Sequence, residues 1–133
     1  MENKIYIFGN ELLEEDNIPI KLKKGLAEKF KNIEFEIKDP SENLHPDKNK
    51  TLTIIDTAQG IEKVEYINSL EHIETNYKPC SLHDFDLAFN LKILKSLKLL
   101  EKVHIIAIPQ NMKQEKAFNE TVKIIESLFP INS

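Results

Sequence analysis

Apolar residues recur along the chain in two patterns, short continuous or alternating runs and a spacing of three to four residues. Short runs rich in β-branched residues are typical of strands, and the longer spacing is typical of amphipathic helices. The predicted strands cover residues 5–8, 33–37, 52–55 and 103–108, with weaker candidates at residues 64–67 and near Ile73. Residues 33–37 alternate apolar and charged side chains, which predicts a half-exposed edge strand.

Three helices are predicted between or after these strands. They cover residues 18–30, residues from Ser81 to Leu97, and residues 117–128. Pro19 falls in the first turn of the first helix, where proline is tolerated, and Ser81-x-x-Asp84 resembles a capping box. Strands that alternate with helices predict an α/β fold: three layers, with a mostly parallel twisted sheet of about five strands and helices on both faces. No repeat or low-complexity linker interrupts residues 1–133, so we expect a single domain.

The composition is that of a globular protein, with 41% hydrophobic and 30% charged residues. The apolar runs are strand-sized, which argues against insertion into a membrane, and the N-terminus lacks the features of a signal peptide. We therefore expect a cytoplasmic protein. Cys80 is the only cysteine, so no internal disulfide is possible.

The charge pattern argues against nucleic acid as a partner. The formal net charge is −4, and the eighteen basic residues are all lysines. Without arginine the chain lacks the planar fork that binds phosphate or guanine through two hydrogen bonds. No basic stripe interleaved with aromatic residues is present either.

Candidate chemistry lies where the predicted strands end, because ligands of open α/β sheets bind beyond the carboxyl ends of the strands. In the loop after the first strand, three consecutive acids end at Asp16, just before the first helix. These acids repel one another, and a bound cation would relieve that repulsion. The alternative is that Asp16 or Asn17 caps the helix and that the glutamates are solvated.

Asp56 directly follows the apolar run 52–55 and lies at the predicted rim of the sheet. It is either a site residue or an aspartate that starts a turn and binds the backbone two residues further on.

His83 lies at the predicted start of the second helix, beside Asp84. Asp84 could orient the imidazole or serve only as the capping acid, and His83 could equally be a surface residue. Cys80-x-x-His83 has the spacing of metal ligands, but no second such pair exists for a structural zinc site. His45, His72 and His104 are interpreted as structural or surface residues.

These three stretches, taken in order, resemble the hydrogenase maturation proteases. The resemblance covers residues 4–128, and each of its motifs is short. It is carried by Gly9-Asn10 followed by Glu15-Asp16 before a helix, by Ile54-Ile55-Asp56, by Ser81-Leu82-His83-Asp84-Phe85-Asp86-Leu87 and by a late strand that ends near a proline, Pro109.

The resemblance implies a nickel-dependent endopeptidase that removes the C-terminal extension of a nickel-iron hydrogenase large-subunit precursor after nickel insertion. It assigns metal binding and catalysis to Asp16, Asp56 and His83, with Asp84 and Glu15 as supporting residues. The nickel would be supplied by the substrate, and zinc or cadmium could take its place. A monomer is expected.

Two alternatives of other classes stay open. A non-catalytic nickel-binding chaperone of hydrogenase assembly would use the same three residues without cleavage. A phosphoacceptor receiver domain also has an aspartate after its third strand, as Asp56 would be. That class, however, needs its acidic pair directly at the end of the first strand, where Gly9-Asn10 stands, and a lysine after the last strand, where Pro109-Gln110 stands.

Overall fold

The computed structural model describes residues 3–8, 18–38, 44–58, 60–68 and 91–130. Five strands are present in this part of the chain: β1 (Asn3–Ile7), β2 (Ile33–Ile37), β3 (Thr51–Ala58), β4 (Glu65–Ile67) and β5 (Lys102–Pro109). They form one sheet in the order β2-β1-β3-β5-β4. All neighbours are parallel except β4, which is antiparallel to β5. The predicted mostly parallel sheet of five strands is confirmed, and residues 33–37 form an edge strand as expected.

Helices cover both faces of this sheet. They are α1 (Ile18–Lys29), α2 over residues 91–96, and α3 (Gln114–Leu128). One apolar cluster joins α1 and α3 to strand residues that include Ile5, Ile55 and Ile106. A second cluster joins Leu91 of α2 to strand residues of the opposite face, including Ile54 and Ile105. Because neighbouring residues of a strand point to opposite faces, each central strand contributes to both clusters.

The two helices that share a face approach each other closely at Gly25. A Cβ atom at Gly25 would lie 2.8 Å from Cε1 of Phe118 in α3. Glycine inside a helix lowers its stability, by about 1 kcal/mol relative to alanine. The structure supplies the reason for its presence, since a larger residue at this position would displace the Phe118 ring.

Two strands extend further than the sequence pattern predicted. Residues 51–58 of β3 all pair with residues 102–109 of β5, so the strand continues for two residues beyond Asp56. The late strand was expected to stop before Pro109, but Pro109 is its last residue and pairs with Ala58. Pairing with a long neighbour therefore extended β3 past the point where its apolar run ends.

Some predicted elements cannot be compared with the structure. The weak strand candidate near Ile73 and the predicted helix start at Ser81 lie outside the described residues, whereas residues 91–96 confirm the later part of that helix. Within the described ranges, no helix combines the length and the apolar character needed to cross a bilayer.

Candidate functional site

Asp56 is a buried carboxylate close to the carboxyl end of a central strand. Its exposed fraction is 0%, and it is the only Asp, Glu, Lys or His among the described residues to be classed as buried. The Thr57 backbone N–H donates a hydrogen bond of 2.8 Å to its Oδ1. Asp56 was expected directly after the strand, but it lies within β3, two residues before the strand ends at Ala58. The turn-starting alternative is therefore wrong.

The face of the sheet on which Asp56 lies follows from its neighbours in the strand. Ile54 and Ala58, two residues away on either side, both belong to the apolar cluster that contains Leu91 of α2. Since alternate residues of a strand share a face, the Asp56 side chain lies on the face covered by α2. Apolar residues of that cluster therefore flank Asp56 along β3.

The end of β1 lies directly beside Asp56. The Phe8 backbone N–H donates a hydrogen bond of 2.9 Å to the carbonyl oxygen of Ile55, one residue before Asp56. β1 ends at Ile7, directly before Phe8, and α1 begins at the buried residue Ile18. Of the predicted site residues, the structure therefore describes Asp56 and the two ends of the segment that carries Asp16.

Asp16 and His83 themselves lie outside the described residues, as do Glu15, Cys80 and Asp84. Their assignment stays a prediction. Among the residues that are described, no group of three or more His, Cys, Asp or Glu side chains could hold a metal ion.

Glu65 is an acidic residue that the sequence interpretation passed over. It begins β4 and pairs with Ala107 of β5, which is also the partner of Asp56. The two acids therefore lie in one row across the sheet, with Ala107 between them. A single sequence offers no means of finding this relation, because β4 follows β3 in the chain but pairs with β5.

His104 lies in β5, away from the Asp56 face, and contacts Tyr66 of β4. The Tyr66 hydroxyl forms a hydrogen bond with His104 Nδ1, and the two rings stack with their centroids 5.6 Å apart. Burial lowers the pKa of His104, and the nearby charge of Lys102 lowers it further, whereas Asp47 raises it. These contacts agree with the expected structural role for this histidine.

Comparison with known proteins identifies the fold. No protein-family model matches the sequence, and no curated protein sequence matches it. Among solved structures, the chain is similar to the [NiFe] hydrogenase maturation protease HybD from Thermococcus kodakarensis, with a TM-score of 0.66 and 20% identity over 95% of this chain and 98% of that one. The hydrogenase maturating endopeptidase HybD from E. coli gives a TM-score of 0.66 and 13% identity over 96% and 94% of the two chains.

The chain has the hydrogenase maturation protease fold. A third solved structure of this fold, the hydrogenase 2 maturation peptidase from a Thaumarchaeota archaeon, gives a TM-score of 0.55 and 13% identity over 98% and 99% of the two chains. In this fold the buried aspartate of the central strand and the end of β1 meet at the edge where open α/β sheets bind their ligands.

Proposed function

We propose that this chain is a metal-dependent endopeptidase that removes the C-terminal extension of a nickel-iron hydrogenase large-subunit precursor after nickel insertion. The observation that carries the proposal is the position of Asp56, a charged group with no exposed surface at the ligand-binding edge of a maturation protease fold. Moving a carboxylate out of water costs several kcal/mol, so a carboxylate at such a place is a candidate for a functional group.

The geometry of the described residues supports a role for Asp16 beside Asp56. In the sequence, Asp16 precedes Ile18 by two residues. Ile18 is buried at the start of α1, and helices that follow parallel strands begin at the carboxyl edge of the sheet. The start of α1 therefore lies near Asp56, which supports the proposed role of Asp16 two residues earlier in the sequence.

The direction of α2 supports a role for His83. After α2 the chain enters β5 at Lys102, the first residue of that strand. Lys102 pairs with Thr51 at the amino end of β3, which is the edge of the sheet opposite to the one near Asp56. The chain in α2 thus runs toward that opposite edge, so α2 begins on the side nearer to Asp56. His83 precedes Leu91, the first described residue of α2, by eight residues in the sequence.

Two carboxylates and an imidazole form a donor set suited to nickel, zinc and similar divalent ions. We propose that Asp16, Asp56 and His83 bind the nickel that the precursor carries, so that only a loaded precursor is recognised. When it is bound, the ion supplies polarisation of a nearby carbonyl group. Asp56 would hold its oxygen in place through the Thr57 N–H hydrogen bond.

The test uses purified precursor large subunit, with and without nickel, and follows its intact mass over time. The folded wild-type chain should remove the C-terminal extension only from nickel-loaded precursor. Asp16→Asn, Asp56→Asn and His83→Ala should each abolish the mass change. The matched control is Asp47→Asn, which changes an aspartate at the opposite edge of the sheet and should leave processing intact.

Persistence of the full-length loaded precursor with folded wild-type chain would refute the proposed peptidase activity. If the precursor is bound but stays whole, the chain is a nickel-binding chaperone instead. The receiver-like alternative has less support from the fold, because receiver domains follow the parallel order 2-1-3-4-5, whereas this sheet ends in β5-β4 with β4 antiparallel.

A further inference from the structure

Glu65 and Asp56 flank the same residue in the sheet. Asp56 is the Cα partner of Ala107 in the β3–β5 register, and Glu65 is the Cα partner of Ala107 in the β4–β5 register. Neighbouring strands are about 4.8 Å apart, so the Cα atoms of the two acids are separated by about 10 Å.

Both acids lie on the same face. Ile67, two residues after Glu65, belongs to the apolar cluster that also contains Ala107 and the neighbours of Asp56 in β3. Alternation along β4 therefore directs Glu65 to that face, whereas Tyr66 contacts His104 on the other. Glu65 is half-buried, in contrast to its exposed neighbour in the chain, Glu62.

The residue between the two acids is small. Ala107 contributes only a methyl group to this face and is 1% exposed, whereas the preceding residue on the same face of β5 is Ile105. The methyl group of a buried alanine therefore separates the two acids in this row of the sheet.

The backbone that carries Glu65 is anchored from the opposite side of the sheet. The N–H of Val64, which is buried, donates a hydrogen bond of 3.0 Å to Oε1 of Glu120 in α3. This contact fixes the residue before Glu65, so the short strand β4 has a defined position relative to Asp56. General bases need such fixed positions, because proton transfer requires hydrogen-bond distances.

We propose that Glu65 is the general base that activates the attacking water in the peptidase reaction; this inference rests on the proposed function. The Glu65 carboxylate accepts a proton from water as the water oxygen forms a bond with the scissile carbonyl carbon. When the C–N bond breaks, the Glu65 carboxylic acid returns that proton to the leaving amine. The products are a carboxylic acid and an amine, and Glu65 is regenerated as a carboxylate.

The alternative role for Glu65 is structural. A charged residue on an edge strand discourages pairing with other chains, and β4 is an edge strand. Glutamine at this position keeps the size of the side chain but loses the basic carboxylate, so its effect on catalysis separates the two roles.

The experiment compares wild type, Glu65→Gln and Glu65→Asp, with Glu62→Gln as the control in the same segment. Cleavage of nickel-loaded precursor is followed by mass, and binding of precursor is measured separately under single-turnover conditions. Glu65→Gln should lower kcat by about 10²- to 10⁴-fold, the usual contribution of a general base, with KM and binding within about twofold of wild type. Glu65→Asp should retain part of the lost rate, and Glu62→Gln should behave as wild type.

An unchanged kcat in folded Glu65→Gln, while wild type cleaves, would overturn the role of Glu65 and leave the proposed function standing. A rise in KM with unchanged kcat would also overturn it, because Glu65 would then bind substrate. Failure of the wild-type chain to cleave the loaded precursor would remove both proposals together.

Discussion

Replacement of Asp56 by asparagine should stabilise the metal-free protein although it abolishes the proposed activity. Asparagine has nearly the same shape as aspartate, and its side-chain oxygen can still accept the Thr57 N–H. What changes is the charge, which lies in a position with no exposed surface. The substitution therefore removes the buried charge and keeps the size of the side chain.

The expected magnitude follows from two opposing contributions. Burial of an ion costs several kcal/mol in real proteins, and a hydrogen bond to a charged group returns about 1.5–3 kcal/mol. Asparagine keeps the shape and the hydrogen-bonding oxygen of aspartate, so we expect relief of the burial cost to outweigh the weakened contacts by about 1–3 kcal/mol. Asp56→Asn should raise the free energy of unfolding by this amount.

The assay is urea unfolding at pH 7 in the presence of a chelator, followed by circular dichroism. With a slope of about 2 kcal/mol per molar urea, the midpoint should rise by about 0.5–1.5 M and the slope should stay constant.

The matched control is Asp47→Asn. Asp47 Oδ1 accepts backbone hydrogen bonds from Asn49 and Thr51 at 2.8 and 3.0 Å, but this aspartate is partly exposed. Its neutralisation should weaken charge-assisted bonds and cost about 0.5–1 kcal/mol.

A lower unfolding free energy for Asp56→Asn would refute the reasoning. It would mean that the charge of Asp56 is compensated within the folded chain and serves stability. Both aspartates accept backbone hydrogen bonds, yet the expected changes in unfolding free energy have opposite signs. A general effect of replacing aspartate by asparagine would change both values in the same direction.

Three further predictions concern packing and pH. Gly25→Ala should stabilise the protein by about 1 kcal/mol in a Phe118→Ala background, because alanine has the higher helix propensity. In wild type it should give no such gain, because the new Cβ atom meets the Phe118 ring. If urea unfolding shows that the effects of the two substitutions are additive, this explanation is contradicted. The pKa of His104 lies below its unfolded value of 6.5, so neutral His104 contributes its full stability above pH 6.5, and this contribution is lost as the pH falls below 6.5. His104→Gln should therefore flatten the pH dependence of thermal unfolding below pH 6.5. An unchanged pH dependence would argue against this role of His104. Glu120→Ala should lower the free energy of unfolding by about 1–2 kcal/mol and speed amide hydrogen exchange at Val64, because it removes the hydrogen bond between the Val64 N–H and Glu120. Unaltered exchange would show that this hydrogen bond does not hold the residues before β4.

Much of the fold could be predicted from local patterns. Apolar runs located all five strands, and the alternation in residues 33–37 indicated an edge strand, because the side chains of a half-exposed strand record which face meets solvent. The apolar run before Asp56 correctly predicted a buried strand, but pairing with β5 extends that strand two residues beyond Asp56. The roles of Asp16 and His83 stay predictions from the resemblance to a known family.

What the sequence by itself determined is thus the kind and order of the elements, together with one acid at the functional edge. Only the tertiary structure decided which strands became neighbours. Strand periodicity is a property of adjacent residues, but pairing joins residues far apart in the chain, and nothing local shows that β5 inserts between β3 and β4. That insertion places Ala107 between Asp56 and Glu65. The close approach of α1 and α3 explains why a glycine occupies position 25. Both features depend on distances across the fold that no local pattern records.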